Sequence, residues 1–331
     1  MLRWAIIGTS FISETMARAI AESDGSRIEA VFGRDVTRLA DFADRHGIEK
    51  RYTNYDRLLD DPEIDVVYIG LPNNVHHQAV IKAANKGKAI LSEKSLTTTM
   101  EDANALAAAV RSTNVFFLEG LMYLSHPLID HLGDIIRSGR LGTIRSVSGS
   151  YAADIWQLVN PLGKGTIYNL GCYPVSLLHY VIQTAFGADA FGRRTVSSFG
   201  NISSHDGNIC DAALSVRFSN GVMATLQSTD SYGMNFDFAI RGDLGTLGFL
   251  TNPWLPNAGE NRLELKLYGA EPEIITVTSH KDAFGHQVMR VEDCLRNGLT
   301  EAPRPSPRLQ DSMEIMTLLT EWEEACGPAR A

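Results

Sequence analysis

The sequence predicts an α/β fold in two parts: an N-terminal doubly wound parallel sheet over residues 1–120, and a C-terminal α+β domain on a largely antiparallel open sheet over 121–331. Three observations carry that expectation. The apolar runs at 2–7 and 65–71 are almost unbroken, as befits parallel strands covered on both faces. They alternate with stretches of helical composition, the pattern of crossover units in a parallel sheet. From Phe191 onward short alternating strands dominate, with Ser219-Asn220-Gly221 as a hairpin turn between 212–218 and 222–228. At 331 residues the chain is too long for one typical core and suits two, at about 100–200 residues per domain.

In chain order, the first strand runs into Gly8-Thr9-Ser10-Phe11-Ile12-Ser13, and residues 14–21 have helical composition. Strand, glycine turn and helix form a phosphate cradle, because a helix N-terminus offers unpaired N–H groups and a favourable dipole. Gly8 fills the first position of the glycine fingerprint, while Ser10 and Ser13 stand at the second and third. The competing reading is a plain strand-to-helix turn. A second strand, 27–32, ends at Gly33-Arg34-Asp35, where a dinucleotide fold meets the adenosine ribose. Arg34, helped by Arg38, has the forked donors for a 2′-phosphate, which favours NADP; if Asp35 takes the ribose instead, the coenzyme is NAD.

Helices at 36–46 and 55–59 lead to the central strand 65–71, after which Pro72-Asn73-Asn74-Val75-His76-His77 opens a helix reaching Lys86. A strand at 89–94, a helix at 100–112 and a strand at 115–119 complete the first domain. Right-handed crossovers put the strand tips carrying Gly8, Gly33, Pro72 and Lys94 along one edge, where ligands of such sheets sit. Beyond Glu119 a helix at 126–138, a strand at 143–152 and a helix at 172–186 precede the strands of the second sheet, which continue at 236–241, 246–250, 263–268 and 274–277. Helices at 284–297 and 307–324 close the chain. An open sheet needs one face covered, so a homodimer or homotetramer through the C-terminal sheet is expected.

Composition excludes several classes. The formal charge is -9 with no basic run, which argues against nucleic acid as a partner. No stretch of about 20 apolar residues could span a bilayer, and Met1-Leu2-Arg3-Trp4 leads straight into a strand, so a cytoplasmic protein is expected. Cys172, Cys210, Cys294 and Cys326 are scattered, without zinc or disulfide spacing, so no metal is expected.

The chemistry gathers at Glu93-Lys94, a charged pair at a strand tip, with the nucleotide-type loop upstream and a Gly171-Cys172-Tyr173 turn downstream. Three segments then coincide with the degenerate glycine loop: Ile69-Gly-Leu-Pro-Asn-Asn-Val-His76, Ser92-Glu-Lys-Ser95 and Glu119-Gly-Leu-Met-Tyr-Leu-Ser-His-Pro127. With Gly165-Thr-Ile-Tyr-Asn-Leu-Gly-Cys-Tyr173, the whole chain resembles the Gfo/Idh/MocA family of NAD(P)-dependent oxidoreductases. It looks most like the branch of dimeric dihydrodiol dehydrogenases, NADP-dependent xylose dehydrogenases and glucose-fructose oxidoreductase, which acts on sugars, polyols and related diols.

The resemblance implies that Lys94 is the lysine of the family's Glu-Lys-Pro motif and Tyr173 the proton donor or acceptor. The coenzyme would lie against Gly8 to Ile12, Gly33, Arg34, Arg38, Leu71, Pro72, Asn73, His76, Glu93 and Lys94. Alcohol oxidation sends a hydride to nicotinamide and a proton to a base; a tyrosine, with pKa of about 10, needs a nearby cation to serve, and Lys94 supplies one. Ser95 replaces the motif's proline, whose preceding bond is often cis, so a trans bond is expected here. Asn169 replaces the usual aspartate, which leaves hydrogen-bonding capacity but no charge. Tyr123, Trp156 and Asn169 join Tyr173 as substrate-binding candidates, Trp156 by stacking on a sugar ring. The structural alternatives are a core role for Tyr173, helix-start roles for His76 and His126, an anchoring role for Trp156, exposure of His77 and packing of Tyr151 and His179. The function expected is an NADP-preferring oxidoreductase of a sugar, polyol or cyclic diol; its rivals are an NAD-dependent enzyme of that class and a non-catalytic dinucleotide-binding sensor.

Overall fold

A computed structural model describes residues 1–327, which group into two compact units. The first unit takes residues 1–125 and 284–313, whereas the sequence-based division drew a single cut after residue 120. Its strands are β1 (Leu2–Ile7), β2 (Ser26–Phe32), β3 (Lys50–Tyr52), β4 (Val66–Ile69), β5 (Ala89–Glu93) and β6 (Phe117–Gly120). They form one parallel sheet in the order β3-β2-β1-β4-β5-β6, the doubly wound order that reverses beside β1. Helices α1 (Phe11–Ala21), α2 (Val36–His46), α3 (Tyr55–Leu59), α4 (His76–Asn85) and α5 (Met100–Thr113) are the crossovers and connections. All four residues of β4 are buried, as its unbroken apolar run requires.

Caps set the helix ends. Asp35 accepts from the Thr37 and Arg38 N–H groups at the start of α2, and Gly47 closes that helix in the left-handed conformation. Thr99 accepts from the Asp102 N–H at the start of α5. Helix α1 begins three residues earlier than its composition suggested, and a 3-10 turn, Asn73–Val75, precedes α4. The Lys94–Ser95 peptide bond is cis, which corrects the trans expectation; the Ser95 carbonyl oxygen lies 2.9 Å from His76 Nδ1.

The second unit, residues 126–283 and 314 onward, contains α6 (Pro127–Arg137), β7 (Ile144–Ala153), α7 (Thr166–Asn169), α8 (Cys172–Phe186), β8 (Arg194–Ile202), β9 (Ile209–Phe218), β10 (Met223–Thr229), β11 (Met234–Gly242), β12 (Gly245–Phe249), β13 (Gly259–Leu267) and β14 (Glu273–Ser279). The eight strands run β14-β13-β12-β11-β7-β10-β9-β8, antiparallel throughout except for the β7–β10 pair. Alternation along β9 and β10 turns Ala212, Leu214, Val216, Ala224 and Leu226 inward, and α8, buried from Cys172 to Gln183, packs on that face. Gly149 permits this packing, since a Cβ there would meet the Phe238 ring at 2.6 Å. The chain ends in α9 (Ala283–Arg296) and α10 (Leu309–Ala325). Among the described residues no helix is long and apolar enough to cross a membrane.

Candidate active site

In the first unit the carboxyl ends of β1, β2, β4 and β5 carry the residues that the sequence singled out. Gly8 has φ of 106°, and a Cβ there would lie 2.9 Å from the Gly70 carbonyl oxygen, so only glycine lets these two strand tips meet. Gly8 N–H donates to Phe32 O at 2.9 Å and Gly70 N–H to Ile7 O at 2.9 Å, which joins three tips. Ser10 stands at the N-cap of α1, yet its hydroxyl donates to Gly70 O at 3.1 Å and does not cap the helix. The cap position thus leaves the first-turn N–H groups of Phe11 and Ile12 without a side-chain acceptor, which is what an anion at a helix N-terminus requires. Thr9 packs its methyl against the Gly33 backbone, where a Cβ would approach it to 3.3 Å. These residues fit a dinucleotide.

Three residues at and beyond the end of β2 bear on the coenzyme's ribose. Asp35 Oδ1 is engaged by the α2 N–H groups at 3.0 and 3.1 Å, and Arg38 Nε lies 4.0 Å from Oδ2. Arg34 is exposed and pairs with no carboxylate among the described residues.

His76 is fully buried, with Nε2 2.7 Å from Leu71 O and Nδ1 2.9 Å from Ser95 O. Burial outweighs these two carbonyls and lowers its pKa to about 4, so the ring is neutral and its single N–H donates to one of the two oxygens. His77, expected to be exposed, is half-buried because Nε2 reaches Asp102 Oδ1 at 3.3 Å. Half-buried Lys94 follows Glu93, whose carboxylate accepts from Tyr68 Oη at 2.9 Å and whose acidity burial weakens. Glu119, one strand over, was not singled out as a site residue; burial pushes its carboxyl up to about 7. Tyr123 is fully buried, and His126 caps α6 by accepting from Leu128 N–H at 3.1 Å.

In the second unit Tyr173 lies in the first turn of α8 and is 6% exposed. Its ring meets Tyr151 edge-on at 5.2 Å and Trp254 at 6.1 Å, while Tyr151 stacks on Trp254 at 6.0 Å. Burial raises the Tyr151 hydroxyl to about 12, so it stays protonated. Trp254 escaped the sequence reading. The one signal was its place in Asn252-Pro-Trp-Leu-Pro256, where Asn252 Oδ1 accepts from Trp254 N–H at 2.9 Å and the indole donates to Ser150 O at 3.1 Å. Asn169 ends the one-turn helix that leads into Gly171 and Tyr173. Trp156 stacks on His205. His179 is packed, 2.8 Å from Glu314.

Residues 2–121 match the family model of the Gfo/Idh/MocA oxidoreductases with an NAD-binding Rossmann fold, and residues 129–248 match a Gfo/Idh/MocA C-terminal domain. An uncharacterized oxidoreductase of Rhizobium meliloti is 31% identical over 309 residues, 90% of each chain. The trans-1,2-dihydrobenzene-1,2-diol dehydrogenase of Oryctolagus cuniculus is 27% identical over 95% of this chain and 94% of its own. A 3-ketoreductase from Actinomadura kijaniata, solved with NADP and TDP-benzene, superposes with a TM-score of 0.85 at 22% identity, covering 98% of this chain and 97% of that one, which shows a shared fold.

Proposed function

The chain belongs to the Gfo/Idh/MocA family of NAD(P)-binding oxidoreductases, and from that premise we propose that it moves a hydride between NADP(H) and the hydroxyl or carbonyl carbon of a sugar, polyol or cyclic diol. The observation that carries this reading is that both proton-handling side chains are present: Lys94 just past the tip of β5 and Tyr173 in the first turn of α8.

When bound, the nicotinamide supplies the carbon that gives or takes the hydride. Gly8, Thr9, Ser10, Phe11 and Ile12 hold the pyrophosphate at the α1 N-terminus, and Leu71, Pro72, Asn73, His76 and Glu93 shape the adjoining tips. Tyr173 takes the alcohol proton in oxidation and returns it in reduction. Lys94 orients the substrate oxygen. Asn169 hydrogen-bonds a substrate hydroxyl and Trp156 offers an aromatic surface. NADP is favoured because Asp35 is engaged as a helix cap while Arg34, with Arg38 beside it and Gly33 giving close approach, is open to a 2′-phosphate.

The subunits associate through the outer face of the second sheet, in a homodimer or homotetramer. That face carries small and polar residues such as Ser148, Ala213 and Thr225, with Phe199 and Met223 exposed. Asn169 in place of an aspartate favours one rival, a coenzyme-binding regulator without turnover. Arg34→Ala is expected to move the coenzyme preference toward NAD by about tenfold or more, read from NADPH and NADH fluorescence titrations. An unchanged preference would leave the NAD-dependent alternative standing.

A further inference from the structure

The second unit holds a cavity of about 280 Å³ bounded by the loop after β7, by Gly165 at the start of α7 and by the β8–β9 hairpin. Trp156 and His205 lie ring on ring at 4.0 Å, 8° from parallel, and both line it. Asp206, Asn208 and Asp230 add two carboxyl groups and an amide. No lysine or arginine is among the lining residues.

These walls are fixed. Asp230 is 3% exposed, its N–H donates to Cys210 O at 3.1 Å, and its carbonyl accepts from Ile155 N–H at 3.0 Å and Trp156 N–H at 2.9 Å. One residue thus places a buried carboxyl and the backbone of the aromatic wall. Ser231 Oγ donates to Asp230 Oδ1 at 3.3 Å, and burial raises this carboxyl to about 6. Asn208 Nδ2 donates to Asp206 Oδ2 at 2.8 Å and to Pro161 O at 2.7 Å, which ties the hairpin to the loop.

An anion would face two carboxyl groups with no lysine or arginine to offset them, and a purely apolar molecule would leave the buried Asp230 carboxyl with the Ser231 hydroxyl as its side-chain donor. A neutral ring bearing hydroxyls meets both demands: its C–H face packs on the aromatic wall and its hydroxyls donate to Asp206 and Asp230. We propose that this cavity binds a neutral sugar or polyol ring. The proposal deepens the functional reading above, since the ring is either the far part of a substrate larger than one sugar or a separate free sugar.

Trp4, Trp254 and Trp322 are fully buried, so Trp156 is the accessible one of the four tryptophans and reports on the cavity. Acrylamide quenching of the full-length protein is measured with xylose, myo-inositol or maltose, well above the pH at which Asp230 titrates. Trp156→Phe assigns the quenchable signal. At least one of the three compounds is expected to protect Trp156, with an affinity weakened about tenfold in Asp206→Asn and Asp230→Asn at unchanged melting temperature. Protection by maltose alone, with KM for two-ring substrates raised in Asp230→Asn at constant kcat, identifies the far ring of the substrate. Protection by xylose or myo-inositol with no KM affected identifies a separate site. No protection by any of the three, protection that both variants retain, or protection by tetramethylammonium alone overturns the proposal. Lys94-dependent turnover is scored independently, so loss of this site and loss of the oxidoreductase reading are distinguishable.

Discussion

Tyr173 sits in an aromatic cluster with Tyr151 and Trp254, so Tyr173→Phe keeps the packing and removes only the hydroxyl. Turnover should fall by about 10²–10⁴-fold with NADPH affinity nearly unchanged, as read by stopped-flow absorbance beside a binding titration. Glu119 supplies a pH prediction. In the unfolded chain its carboxyl ionises near the ordinary 4.5, and in the folded protein near about 7. Across that window the folded state holds the extra proton, so stability from this group falls as pH rises from the lower value to the upper, by about 1.4 kcal/mol per pKa unit, and is level above. Urea midpoints at about pH 5 and about pH 8 should therefore differ less in Glu119→Gln than in the parent protein. A residue's type was legible in the sequence where its motif was, as at Gly8, Lys94 and Tyr173. Trp254 was not, because only the folded second unit brings it against Tyr173.

At the scale of elements, strong periodicity was readable and marginal structure was not. The unbroken apolar run of β4 and the apolar helix α8 emerged where expected. Edge strand β3, three residues of Lys50-Arg51-Tyr52, has no periodic signal, since it exists only by pairing with β2. The place of α9 depends on contacts 269 and 266 residues apart: the Ser23 and Ser26 hydroxyls donate to Glu292, each at 2.5 Å. No local pattern announces it. A Cβ at Gly25 would lie 2.6 Å from the Glu292 carboxylate, so a larger residue there would displace it. Glu292→Ala leaves two buried hydroxyls without their acceptor and should lower stability by about 1–3 kcal/mol, measured by urea denaturation.

At the scale of the whole molecule, both sheets were legible as classes because their strands differ in period and in connection, crossovers in one and hairpins in the other. The proposed self-association would use the outer face of the second sheet, where Phe199 is 79% and Met223 58% exposed. The double variant Phe199→Asp, Met223→Asp should dissociate the oligomer to monomers in light scattering without loss of the folded state; an unchanged mass would place the interface elsewhere. Hydride transfer assisted by Lys94 and Tyr173 is checked by following the NADPH absorbance band, its rise with NADP+ and aldoses, inositols or anhydro-sugars and its fall with NADPH and ketoses, in the parent protein, Lys94→Ala and Tyr173→Phe, each first shown by fluorescence to bind NADPH. Turnover of at least one compound is expected, and it collapses in both variants while the nucleotide still binds. Turnover that persists in both variants, or failure of the parent protein to bind either nucleotide, would contradict it.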